Sequence, residues 1–168
     1  MLLPFLDPEN DIYINLSILL IILNTLGETN RGVLKINNAK LHIFLYLIKN
    51  PIALNKFLGA LGKDVAALSE QDIYSVSAIS PNLETLFDRE SLKALLSILI
   101  AKKLIKTSYK NNGFFYSLTE NGLSITSKLK DDYLLEIELL CGKLKSVLSL
   151  SESQLNQTLN NIIRKESK

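Results

Sequence analysis

The most apolar stretch of the chain is DIYINLSILLIILNTLGE, where Ile12, Leu16, Leu19, Leu20, Leu23 and Leu26 recur at helical spacing. Ile14, Ile18, Ile21 and Ile22 cover the remaining faces. A helix that is apolar nearly all round lies either at the centre of its domain or beneath another chain. Gly27 is expected to stop it. The uncharged run from Ile12 to Gly27 is 16 residues and includes Asn15, Ser17, Asn24 and Thr25, whereas a membrane span needs about 20 predominantly apolar residues. With no basic segment before it and no small-residue cleavage site after it, the run reads as a buried helix and not as a secretory signal.

NNAKLHIFLYLIKNP predicts a second helix, with Asn37 or Asn38 as N-cap and Asn50-Pro51 as terminator. Its stripe of His42, Tyr46 and Lys49 lies opposite Leu41, Phe44, Leu45 and Ile48. IALNKFLGALG follows as a shorter helix ended by Gly62. Residues 64–82 carry little periodicity beyond a short helix near Glu70–Val76, and SAISPN marks the expected domain boundary.

The pattern changes from Leu83 onward. DRESLKALLSILIAKK predicts a helix capped by Asp88, two short strands follow, and TENGLSITSKL predicts a helix capped by Thr119. Helix, hairpin, helix is the order of a winged-helix module. An Asn112-Gly113 turn would set Asn111 opposite Phe114, Tyr109 opposite Tyr116 and Thr107 opposite Leu118. Ile105, Thr107, Tyr109, Phe114, Tyr116 and Leu118 then form a core face, and Lys106, Ser108, Lys110 and Ser117 a wet one. Phe115 falls on the wet side, where lysine stems or a partner would cover it.

In the last third, DDYLLEIELLCGKLKSVLSL places Leu134, Ile137, Cys141, Leu144 and Leu148 at alternating three and four spacing, the seam of a helix pair. Asp131 and Asp132 favour its N-terminus through the helix dipole. SESQ, from Ser151 to Gln154, is a capping box opening a helix through Leu155, Leu159, Ile162 and Ile163. The expected fold is mainly α with one β-hairpin. It comprises an N-terminal helical bundle with an apolar arm (residues 1–80), a winged-helix module (83–130) and a C-terminal helical pair (131–168). The pattern leaves open whether the N-terminal half is a second winged helix.

Composition narrows the chemistry. The 168 residues are 47% apolar, enough for a real core, and 19 basic residues against 17 acidic ones create no global field. The bias is local, because residues 81–130 hold eight basic and four acidic groups. One cysteine, Cys141, and one histidine, His42, are too few for an internal disulfide or a zinc site, and a reducing cytoplasm fits. Both read as packing residues. With no phosphate-binding glycine loop, nucleophile motif or His-carboxylate cluster, the chain is expected to be no enzyme and to need no cofactor.

Two functional classes stay open. A DNA-reading winged helix would present bidentate donors on the helix before its hairpin, but the outward stripe here is Glu90, Lys93, Ser97 and Ile100. It has no Arg, Asn or Gln, and Glu90 would repel phosphate. Lys102, Lys103, Lys106 and Lys110 are candidates for DNA backbone contact, which binds without specifying sequence. Leu2, Leu3, Phe5 and Leu6 of the arm, with Ile100 and Phe115, are candidates for a protein interface. An assembly subunit is therefore the first reading. A dimeric winged-helix transcriptional regulator, using the C-terminal helices as its seam, is the alternative.

The combination of YINLSILLIILNTLGE, KLHIFLYLIKNP and LLSILIAKKLIK followed by NNGFFYSLTENG resembles the small middle components of bacterial ABC three-component systems, the group that includes Lamassu-type anti-phage defence. The resemblance covers most of residues 12–130. It implies a non-catalytic subunit in antiviral defence that links an SMC- or Rad50-like ATPase to an effector such as a nuclease. No membrane partner is expected, since the apolar run is too short to span one, and homo-oligomerisation and DNA backbone contact stay open.

Overall fold

A computed structural model describes residues 11–74 and 88–166. The arm carrying Leu2, Leu3, Phe5 and Leu6, and the expected boundary SAISPN, lie outside the described residues. The elements run α1 (Ile12–Leu26), α2 (Asn38–Lys49), α3 (Pro51–Ala60), α4 (Glu70–Tyr74), α5 (Arg89–Ala101), β1 (Ile105–Lys110), β2 (Gly113–Leu118), α6 (Glu120–Thr126), α7 (Asp132–Leu144), a 3₁₀ turn (Lys145–Val147) and α8 (Glu152–Glu166). The described residues are mainly helical with one two-stranded antiparallel hairpin.

Helix α1 is the axle of the fold. It packs against α7 above all, and also against α2, α5, α6 and β2. That is why Leu16, Ile18, Leu19, Leu20, Ile21, Ile22, Leu23 and Leu26 are all buried although they occupy every face of the helix. Each such side chain contributes roughly 1.5–3 kcal/mol of transfer free energy when fully buried. The first turn is wet, with Ile12 and Tyr13 exposed, and Asn24 is exposed near the other end. The Asp11 carboxylate caps the first turn, accepting from the Tyr13 amide at 2.8 Å.

The other helix starts are set by residues the sequence marks. Asn37 caps α2, Asp88 caps α5, Thr119 caps α6 and Asp131 caps α7, each accepting a backbone N–H of the first turn. At Ser151 the capping box closes from both sides: the hydroxyl accepts from the Gln154 amide, and the Gln154 side chain accepts from the Ser151 amide at 3.0 Å. Pro51 fills the first turn of α3, where its missing N–H costs nothing.

The seam residues of α7, Leu134, Ile137, Cys141 and Leu144, are buried as their spacing requires. Their main partner is α1, while α8 finds its neighbours in α2 and α3. Leu155, Leu159 and Ile162 of α8 therefore join the same core cluster as Phe44, Leu54 and Phe57. The two C-terminal helices thus lie on the N-terminal ones more than on each other.

The start of α2 is where three segments meet. The Asn37 side chain accepts from the Lys40 amide at 3.0 Å and donates to a Glu152 carboxylate oxygen of α8. The Lys40 ammonium donates to the Leu148 carbonyl at 2.9 Å. Burial, and then neighbouring Lys35, lower the Lys40 pKa, while Glu152 opposes them. Asn38 accepts from the Tyr116 hydroxyl at 2.7 Å. Asn37→Ala removes a helix cap and a tie to α8 together, so it is expected to destabilise the fold by about 1–2 kcal/mol in urea titration.

Candidate interaction surface

The hairpin owes its register to its turn. Asn111 and Asn112, at φ of 50° and 61°, form the two-residue loop, a left-handed geometry that asparagine tolerates better than most residues. Lys110 pairs with Gly113, Tyr109 with Phe114, Thr107 with Tyr116 and Ile105 with Leu118. The turn therefore sits one residue earlier than the Asn112-Gly113 expectation. Each cross-strand partner moves by two residues, and because side chains alternate with period two the two faces keep their members.

What the pattern misjudges is which members are dry. At the base Ile105, Tyr116 and Leu118 are buried, as a core face requires, but so is Ser117 of the expected wet face. Strand β2 is covered along its far edge. The Tyr116 amide donates to the Ile36 carbonyl at 3.0 Å, and Phe115 forms a bridge with Asn37. That neighbour half-buries Phe115, so the ring is less available than its face predicts. Towards the tip the hairpin leaves the core, and Thr107, Tyr109 and Phe114 of the expected core face are exposed. Tyr109 is 63% and Phe114 52% exposed, and their rings pack against each other with centroids 5.1 Å apart.

The lysines expected to face solvent do so. Lys102 and Lys103 close α5, the latter in a left-handed conformation, and Lys106 and Lys110 lie on β1. The outward stripe of α5 is also exposed at Glu90, Lys93, Ser97 and Ile100, and Ile100 is 43% exposed. The Ser97 hydroxyl on that stripe donates to the Lys93 carbonyl of its own helix at 2.8 Å, so its proton is already engaged. A second apolar surface lies on α7, where Leu135 and Leu139, one turn apart, are both exposed, Leu139 by 74%. Glu136 between them has its pKa raised first by burial and then by nearby Asp72 of α4. Helix α6 adds exposed Leu123 and Ile125. Neither the α7 nor the α6 positions stood out in the sequence, because the seam spacing of α7 and the brevity of α6 drew attention to their inner faces.

His42, Tyr46 and Lys49 do share one stripe of α2, opposite its inner apolar residues. With Asn15, Asp88 and Ser91 they line a cleft of about 310 Å³ between α1, α2 and α5, and Tyr46 is buried. The Lys49 ammonium donates to the Asn15 side-chain oxygen at 2.7 Å. Cys141 is fully buried, and burial followed by the Glu138 carboxylate pushes its thiol up to about 12. It stays protonated at neutral pH, so thiol reagents are expected to label it slowly at pH 8 in the folded chain and at once after denaturation.

A family described as ABC-three component (ABC-3C) system Middle Component 4 matches residues 26–157, from the end of α1 into α8. No curated protein and no solved structure matches the chain.

Proposed function

The chain belongs to the Middle Component 4 family of ABC-three component systems, and from this we infer that it acts as a non-catalytic assembly subunit linking an SMC- or Rad50-like ATPase to an effector. A middle component works beside the other components of its system. The finer reading, in which the effector is a nuclease and the setting is anti-phage defence of the Lamassu type in the bacterial cytoplasm, follows from the sequence resemblance. No helix among the described residues is long and apolar enough to cross a membrane.

The observation that carries the assembly role is the apolar content of the outer surface. Ile100 on α5, Leu123 and Ile125 on α6, and Leu135 and Leu139 on α7 are all exposed leucine or isoleucine side chains. Such residues are harmless singly, and here five of them lie on three successive helices of the chain. We assign the partner contacts to these positions and to Leu2, Leu3, Phe5 and Leu6 of the arm, with Phe115 in a lesser, half-buried role. The helix–hairpin–helix segment then serves as a winged helix that grips polypeptide.

The regulator reading fits less well. The α5 stripe offers Glu90, Lys93, a self-bonded Ser97 and Ile100, and none of these supplies the bidentate hydrogen bonding that distinguishes base pairs. Purification of the tagged chain from its native host is expected to yield a stable complex with a large ATPase. A solitary dimer that holds one operator sequence against excess competitor DNA would instead establish the regulator.

A further inference from the structure

We propose that the hairpin tip is a stacking platform for unpaired bases, so that this subunit binds single-stranded nucleic acid without sequence preference. Residues 91–119 contain Lys93, Lys102, Lys103, Lys106 and Lys110 and not one Asp or Glu. All five lysines are exposed. Lysine is a compact point charge that tracks a phosphate backbone without reading bases. Base-reading arginine is missing from the segment, while aromatic rings, which stack on any base, stand at its tip.

The Tyr109–Phe114 pair is open enough for that role. A cross-strand aromatic pair often exists only to hold a hairpin together. This hairpin is already held at its base, by buried Ile105, Tyr116 and Leu118 and by the bond from the Tyr116 amide to the Ile36 carbonyl. The rings lie at the free end, where each leaves more than half its surface to solvent. Strand β1 is the outer edge of the sheet, since β2 is bridged on its far side to Asn37. Along that edge Lys106, Thr107, Ser108, Tyr109 and Lys110 alternate between the two faces. Lys106 and Lys110 stand about 13 Å apart at the rise of an extended strand, with Tyr109 beside the outer one. A strand crossing the edge would meet lysine on one side and a ring on the other. Duplex DNA offers the lysines the same phosphates, but its bases are already stacked and leave the rings without a partner.

The proposal is independent of which proteins the chain assembles with. Its test is fluorescence anisotropy of the full-length chain with labelled dT20, rU20 and a blunt 20-base-pair duplex across a salt series. The single strands are expected to bind more tightly than the duplex, with affinity falling as salt rises and a log–log slope of about −0.7 for each lysine engaged. Tyr109→Ser with Phe114→Ser should weaken single-strand binding about tenfold or more and leave the salt slope and the duplex affinity unchanged. Lys106→Ser with Lys110→Ser should flatten the slope by about 1.4 for the single strands and about 1.8 for the duplex, weakening all three probes. A thermal melt confirms that both double variants, which change only exposed residues, remain folded. Whichever of dT20 and rU20 binds better tells DNA from RNA. The proposal is overturned if no probe binds saturably, if the duplex binds as tightly as the single strands, or if the aromatic variant binds like the wild type. It is also overturned, in favour of an acidic polypeptide ligand, if polyglutamate displaces dT20 as effectively as unlabelled dT20 does. Any of these results leaves the assembly role standing, because that role is read from co-purification and not from oligonucleotide binding.

Discussion

Gly122→Ala is expected to destabilise the protein by about 3 kcal/mol or more, the largest loss expected from adding a single methyl group. Gly122 is buried in the first turn of α6, directly behind the Thr119 cap. A Cβ there would sit 2.0 Å from the Leu104 carbonyl oxygen and 3.1 Å from its carbon. No side-chain rotation relieves that overlap, because the obstacle is backbone. The same carbonyl accepts from the Thr119 amide at 3.0 Å and lies at the entrance to β1, so α6 cannot retreat without loosening the hairpin base. Chemical denaturation should show a lower midpoint. Hydrogen exchange should show the loss concentrated in the segment from Leu104 to Thr126.

Leu19→Ala is the second large expectation, at about 2–5 kcal/mol by urea titration. Leu19 is wholly buried at the middle of α1, surrounded by elements from both halves of the chain, so the cavity left behind has little freedom to collapse. Leu139→Ala is the matched control. Leu139 is 74% exposed on α7 and should cost less than about 0.5 kcal/mol in the isolated chain. The same substitution should weaken binding to another component if that face is an interface, which separates a surface kept for stability from one kept for assembly.

What could be read in the sequence was the local chemistry. The caps at Asn37, Asp88 and Thr119 and the Ser151–Gln154 box depend on residues within one turn of each other and appear as expected, while Asp131, expected only to favour its helix start through the dipole, also caps it. The burial of α1 was also legible, but a helix with no polar face fits the centre of its own domain or the underside of another chain, and the sequence left both open. Three features were not legible, and two of them depend on contacts between residues far apart in sequence. The hairpin turn was placed one residue late because Asn-Gly is the commoner turn pair, whereas Asn111-Asn112 holds both left-handed positions here and Gly113 opens β2. The availability of Phe115 and Ser117 depends on Ile36 and Asn37, nearly 80 residues away, lying along β2. That the stripe of His42, Tyr46 and Lys49 lines a cleft depends on α5, much later in the chain, forming one of its walls.

The candidate surfaces followed the same rule. Lysine exposure at 102, 103, 106 and 110 was legible because a charged side chain near a hairpin has little choice but solvent. Which aromatics are free was not, because strand alternation gives the face and not the point at which the hairpin leaves the core. Tyr109 and Phe114 were assigned to the interior on period alone, and they stand outside because the sheet has only two strands and nothing among the described residues covers its tip.

The most direct test of the assembly role is the mass of the complex recovered when the tagged chain is purified from cells expressing its system at native levels. The expected result is a particle of fixed stoichiometry containing this chain and a Walker-motif coiled-coil ATPase, reduced or lost when Ile100, Leu135 and Leu139 are changed together to serine. Recovery of the chain alone, as a monomer or a self-contained dimer whose mass is unaffected by those substitutions, would contradict it.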